Sequence, residues 1–89
     1  MRGKMETLLK EELRILAIRT RDHLNITQKE MAILLEMSES SYSDIETGKT
    51  MCGTLTTTLL FAEQDDPNEC LKQLKVKLKK LYEEELQPI

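Results

Sequence analysis

The chain has 89 residues, a formal net charge of −3 and a hydrophobic content of 39%, which supports one domain with a modest core. No run of about 18 apolar residues occurs, and the first residues lack the apolar stretch of a signal peptide, so we expect a cytoplasmic protein without a membrane span. Glycine and proline are scarce while strong helix formers dominate, which favours an all-α fold.

The two cysteines, Cys52 and Cys70, lack the spacing of a metal motif, and the chain has one histidine. We therefore expect two reduced thiols and neither a metal nor a cofactor. The sequence also lacks a set of nucleophile, base and orienting residue, and it has no phosphate-binding glycine loop. These observations argue against an enzyme.

The first helix is expected over residues 6–23, where apolar residues recur at steps of three and four. Asn25 follows, a residue that tolerates the left-handed conformation at which many helices end. Thr27 and Glu30 then form a capping box, in which each side chain accepts from the backbone N–H of the other. The box predicts a second helix over residues 28–36.

Ser38 can cap a third helix, and Gly48 can end it, which predicts a helix over residues 39–47. Tyr42 and Ile45 lie three residues apart and should face the core. A fourth helix is expected after Thr54 as its cap. Its predicted inner face consists of Leu55, Thr58, Leu59 and Ala62.

Asp66, Pro67 and Glu69 form a third start signal, which predicts a fifth helix that extends to about Leu86. Leucines recur along it at heptad-type steps, which either cover the domain or contact a second subunit. These candidate dimer contacts are Leu71, Leu74, Leu78, Leu81 and Tyr82. We expect residues 1–66 to form the main domain and the segment 67–89 to pack on it, with dimerisation at one edge.

Helices 28–36 and 39–47 are joined by a tight turn, and Ala32 lies where the second helix must cross closely. This arrangement predicts a helix-turn-helix over residues 27–47, whose second helix enters the major groove of DNA. The stretch TQKEMAILLEMSESSYSDIETGK resembles the XRE family, the lambda repressor and Cro type of regulator. This resemblance extends over residues 13–66, and the residues that carry it are Gln28, Ala32, Ser41, Ile45 and the ending Glu46-x-Gly48-Lys49.

The resemblance implies a five-helix lambda-repressor-like domain that binds an operator in double-stranded DNA as a homodimer and represses transcription. It also implies a structural ion pair between Arg21 and Glu46. Gln can bridge a phosphate and an adenine edge, Ser and Thr can meet phosphate or base, and acidic side chains can accept from cytosine. The implied DNA-facing residues are Gln28, Lys29, Ser38, Glu39, Ser40, Ser43, Asp44, Lys49, Thr50 and Thr54.

Two positions and the charge balance depart from the family pattern. Glu36 stands where the turn usually has glycine, so a left-handed Glu there would cost about 1 kcal/mol. Tyr42 replaces an aliphatic core residue, and its hydroxyl needs a partner. Residues 25–66 hold two cations, Lys29 and Lys49, against eight acidic residues.

This acidic centre leaves two functions open. In the first, the chain is a DNA-binding regulator whose phosphate contacts come largely from outside the motif, from Arg19, the basic N-terminus or the lysines of the last helix. In the second, it keeps the fold but binds a partner protein, such as another regulator or a toxin, and binds DNA weakly or not at all.

Overall fold

The computed structural model describes residues 2–86, which form five helices without a strand. The helices are α1 (Arg2–Leu24), α2 (Gln28–Leu34), α3 (Glu39–Glu46), α4 (Thr54–Ala62) and α5 (Pro67–Leu86). The predicted all-α, five-helix fold is confirmed. The last three residues of the predicted C-terminal segment, 87–89, lie outside the described residues. No helix within 2–86 has both the length and the apolar character needed to cross a membrane.

The first three helices end in the same way, with a residue in the left-handed region just after the helix. These residues are Asn25 with φ 56°, Glu36 with φ 57° and Gly48 with φ 80°. After α2, the N–H of Glu36 donates to the Ile33 carbonyl at 3.1 Å and that of Met37 to the Ala32 carbonyl at 2.9 Å. This pair of bonds is the Schellman motif, and it makes the tight turn before α3. The left-handed conformation expected of Glu36 is present.

Side-chain caps start three helices as predicted. Thr27 and Glu30 form the reciprocal capping box, with N–O distances of 3.0 and 3.1 Å. The Ser38 hydroxyl accepts from the Ser41 N–H at 3.1 Å, which caps α3. Asp66 accepts from the N–H of Glu69 at 3.1 Å at the start of α5.

The prediction for α4 is wrong in two respects. Gly53 is the N-cap and makes no side-chain bond, so Thr54 is the first helical residue rather than the cap. The inner face is formed by Thr56 and Leu60, with Leu59 partly buried against the core, whereas Leu55 is 57% exposed. Thr58 and Ala62 are also exposed. Thr58 does not need a core partner, because its hydroxyl donates to the Thr54 carbonyl at 2.8 Å.

The core lies where α1, α2, α3 and α4 meet. Two of its members, Ala17 and Ala32, have small side chains that allow the helices to approach closely. Its buried residues are Ala17, Met31, Ala32, Leu35, Tyr42, Ile45 and Leu60. The helix-turn-helix is therefore anchored on the second half of α1.

The long helices α1 and α5 run antiparallel. Arg19 lies with Cys70 along one groove, and further along Lys77 donates to Glu12 at 2.6 Å. We call the part beyond this ion pair, residues 2–12 and 77–86, the arm. No described side chain of the arm is fully buried.

Candidate nucleic-acid interface

The outer surface of α3 is polar at its N-terminal end. Glu39 and Ser40 are exposed, while Ser43 and Asp44 are half-buried. Ser38, also exposed, uses its hydroxyl to cap the helix and to donate to the Ser41 hydroxyl at 2.9 Å. These predicted DNA-facing residues therefore lie together on one short helix and its cap.

The other predicted contacts flank this surface in sequence. Lys29 at the start of α2 is exposed, as are Lys49 and Thr50 in the loop after α3 and Thr54 at the start of α4. The N–H groups of Lys49 and Thr50 both reach the Asp44 carbonyl, at 2.8 and 3.3 Å, which folds the loop back onto the end of α3.

Gln28 is engaged within the chain. Its Nε2 donates to Oε1 of Glu46 at 2.9 Å, so the first residue of α2 is tied to the last residue of α3. The side chain is half-buried. The sequence gives no signal for this contact, because it depends on how α2 and α3 are placed relative to each other.

Arg21 and Glu46 form a side-on ion pair. Arg21 Nε donates to Oε2 of Glu46 at 2.7 Å and Nη2 donates to Oε1 at 3.2 Å. The Glu46 side chain is 8% exposed and that of Arg21 is 23% exposed. A third donor, Nη1, reaches the Ile26 carbonyl at 3.3 Å. The pair ties α1 to the end of α3 and so fixes the angle of α3.

Tyr42 completes what we call the Glu46 cluster, formed by Arg21, Gln28, Tyr42 and Glu46. The Tyr42 side chain is fully buried, and its hydroxyl lies within hydrogen-bonding distance of Oε2 of Glu46 and, at 3.3 Å, of the Ala17 carbonyl. The hydroxyl thus has the partner that the sequence required. The spacing of four residues between Tyr42 and Glu46 on one helix was the available signal for this contact.

The cluster has a defined protonation state. Burial acts to raise the pKa of Glu46, but the hydrogen bonds from Arg21, Tyr42 and Gln28 outweigh it, and the pKa lies below its ordinary value. Burial and the neighbouring carboxylate raise the pKa of Tyr42 well above its usual range. At neutral pH the cluster therefore contains an ionised carboxylate, a guanidinium cation and a neutral phenol.

Comparison with known proteins agrees with this geometry. Residues 17–51, which carry the whole Glu46 cluster, match the family model described as helix-turn-helix. The matched model is that of the XRE-family, lambda-repressor-like helix-turn-helix. The family is one of DNA-binding regulators of the lambda-repressor type. No curated protein and no solved structure matches the chain.

The helix-turn-helix of this chain carries charges of both signs on its surface. Lys29 and Lys49 are exposed, and so are the acidic Glu36 and Glu39 at the turn and the start of α3. Outside the motif, Arg14 is held by Glu11, with 2.9 Å between Nε and Oε2. Within the described residues, the motif itself offers few cations to phosphates.

Proposed function

We propose that this protein is a sequence-specific DNA-binding regulator that acts as a repressor, with α3 in the major groove. The observation that carries the proposal is the fixed, outward polar end of α3 in an XRE helix-turn-helix. Glu39 and Ser40 are its most accessible members. Side chains of this kind can meet base edges, since hydroxyls donate and accept while carboxylates accept from cytosine N4.

Phosphate contacts set the register of such a complex. We assign this role to the exposed Lys29 and Lys49, together with the hydroxyls of Thr50 and Thr54. Base contacts are assigned to Gln28, Glu39, Ser40, Ser43 and Asp44, with Ser38 at their edge. This division leaves each motif with two cationic contacts.

We propose that the protein binds DNA as a two-fold dimer through α5. An apolar strip of α5, formed by Leu71, Leu74, Leu78 and Tyr82, lines one groove together with two lysines. Leu71 is 48% exposed and Tyr82 is 39% exposed. Leu81 instead shares a groove with Leu8 of α1, so we assign it to packing within the arm.

A second copy of this chain is the partner that suits the α5 strip. Lysines lie at positions 72–80 of α5, and acidic residues follow from position 83. When two α5 helices pair antiparallel around Leu78, Leu74 of one copy lies at the level of Tyr82 of the other. The pairing brings the acidic end of each α5 to the level of the lysine-rich part of its partner, and it covers an arm in which no described side chain is fully buried.

This pairing also gives a reasonable separation of the two motifs. Cys70, which lies at the level of Arg19 beside the motif, precedes Leu78 by eight residues, or about 12 Å of helix. The motifs would thus be about 24 Å apart along the arms. The interaxial distances of the packed helices, about 8–10 Å each, run across this direction, and combined with it at right angles they bring the separation towards the ~34 Å between successive major grooves.

Enrichment of duplex DNA from a randomised pool by the full chain tests the proposal. We expect one short two-fold symmetric sequence to be enriched. In a plot of the logarithm of the binding constant against the logarithm of salt concentration, the slope should be near −3.6 if four cations of a dimer meet phosphates. It should be steeper if Arg19 or α5 lysines add contacts. If the chain enriches no sequence at low salt, the proposal that it binds DNA in a sequence-specific way is wrong. That result would favour the alternative suggested by the exposed Glu36 and Glu39, a module that binds a protein partner.

A further inference from the structure

We propose that the Tyr42 hydroxyl is a positioning group for DNA recognition. Through the Glu46 carboxylate, it holds the side-chain amide of Gln28 in the orientation that meets DNA. This inference rests on the proposed function, since it concerns how the side chain of one proposed contact residue is oriented before DNA binds.

Tyr42 and Gln28 bind opposite oxygens of one carboxylate. Oε2 of Glu46 lies against the Tyr42 hydroxyl, while Oε1 accepts from Gln28 Nε2 at 2.9 Å. Because the Tyr42 ring is fully buried in the core, its hydroxyl is a fixed point. A fixed hydroxyl on Oε2 determines where Oε1 is aimed.

Arg21 holds the two oxygens of the carboxylate unequally. Its shorter bond, 2.7 Å from Nε, goes to Oε2, and its bond to Oε1 is 3.2 Å. The terminal torsion of a glutamate is broad, so without the Tyr42 hydroxyl on Oε2 the carboxylate can tilt about its last bond while it stays paired with Arg21. Gln28 then loses its aligned acceptor.

The contact with Glu46 also fixes the polarity of the Gln28 amide. An ionised carboxylate only accepts hydrogen bonds, so the amide nitrogen of Gln28 must face Glu46 and Oε1 of Gln28 must face away from it. One N–H and the carbonyl oxygen remain for DNA. This donor and acceptor, side by side, match the N7 and N6 groups of an adenine edge.

A double-mutant cycle on DNA affinity tests the inference, with the duplex enriched by the wild-type chain as the probe. Gln28→Ala should weaken binding by about tenfold. Tyr42→Phe keeps the buried ring and should weaken binding by about threefold in the wild-type background. In the Gln28→Ala background, the added Tyr42→Phe substitution should change the affinity by less than about 1.5-fold.

Thr20→Val is the matched control. Thr20 is 5% exposed, and its hydroxyl donates to the Leu16 carbonyl and accepts from Gln64 at 2.9 Å, away from Glu46. The control removes a buried hydroxyl and should lower the unfolding temperature without weakening DNA binding at a temperature where the chain is folded. This comparison separates positioning from general loss of stability.

The outcomes distinguish the inference from the proposed function. The inference is wrong if Tyr42→Phe weakens DNA binding equally in both backgrounds, or if it leaves binding unchanged in the wild-type background. Neither result affects the proposal that the chain binds DNA. A wild-type chain that binds no duplex overturns the proposed function and the inference with it.

Discussion

Arg21 of α1 forms an ion pair with Glu46 at the end of α3 through two N–H donors, with distances of 2.7 Å from Nε to Oε2 and 3.2 Å from Nη2 to Oε1. The contact spans 25 residues of sequence and connects the helix that anchors the domain to the helix assigned to the major groove. Its location means that a substitution at Arg21 changes both the stability of the domain and the angle of α3.

Replacement of Arg21 by Met should lower the free energy of unfolding by about 2–3 kcal/mol, because it leaves the largely buried Glu46 carboxylate without its cation. Urea unfolding followed by circular dichroism measures this loss. Arg14→Met is the matched control, since the Arg14–Glu11 pair is more exposed and should contribute little. Equal losses in the two variants would contradict a structural role specific to Arg21.

Glu46 should make the domain sensitive to acid. Its pKa in the folded chain lies below the ordinary value of 4.5, so the carboxylate stabilises the fold fully above that value. This stability is lost as the pH falls through the lowered pKa. Glu46→Gln should therefore be less stable than wild type at pH 7, and the difference should shrink towards pH 3. Unfolding curves between these limits that keep a constant difference would disprove the role of the ionised carboxylate.

The left-handed backbone of Glu36 should be a removable source of strain. Glu36→Gly should raise the free energy of unfolding by up to about 1 kcal/mol, because a φ of 57° is unfavourable for a side chain with a Cβ. Glu36→Gln is the control, since it removes the charge but keeps the strained conformation. If Glu36→Gln raises the free energy of unfolding as much as Glu36→Gly does, the effect is due to the lost charge and not to relief of strain.

The α5 strip should control the oligomeric state. Leu71→Glu places a charge on the strip and should convert a dimer into a monomer without loss of helicity. Val76→Glu is the control, because Val76 is 68% exposed and does not line the groove of the strip. Sedimentation equilibrium distinguishes the states. A wild-type monomer at high concentration, or a dimer that persists in Leu71→Glu, would rule out the proposed interface.

The sequence predicted the parts of the fold that depend on neighbouring residues. The capping box at Thr27 and the cap at Ser38 were recognisable, because each is formed by a few consecutive residues, whereas the left-handed Glu36 followed from the family resemblance. The inner face of α4 was predicted wrongly, since the threonine run gives no clear apolar periodicity and the choice of Thr56 over Thr58 depends on packing against the core.

The candidate site was predictable only in part, for the same reason. The family resemblance supplied the Arg21–Glu46 pair and the polar face of α3. The contact of Gln28 with Glu46 joins two helices whose relative placement no local pattern encodes. The shared carboxylate therefore became visible only once the core had positioned α2 against α3.

We propose that the polar end of α3 reads DNA bases. Enrichment from a randomised duplex pool, repeated with Ser40→Ala and Asp44→Asn, tests it most directly, with Glu63→Gln as a control for loss of an acidic residue outside the motif. We expect the two α3 variants to enrich sequences that differ from the wild-type sequence within each half-site, while the control enriches the wild-type sequence. Identical enriched sequences from all four chains, or enrichment by none of them, would contradict the claim.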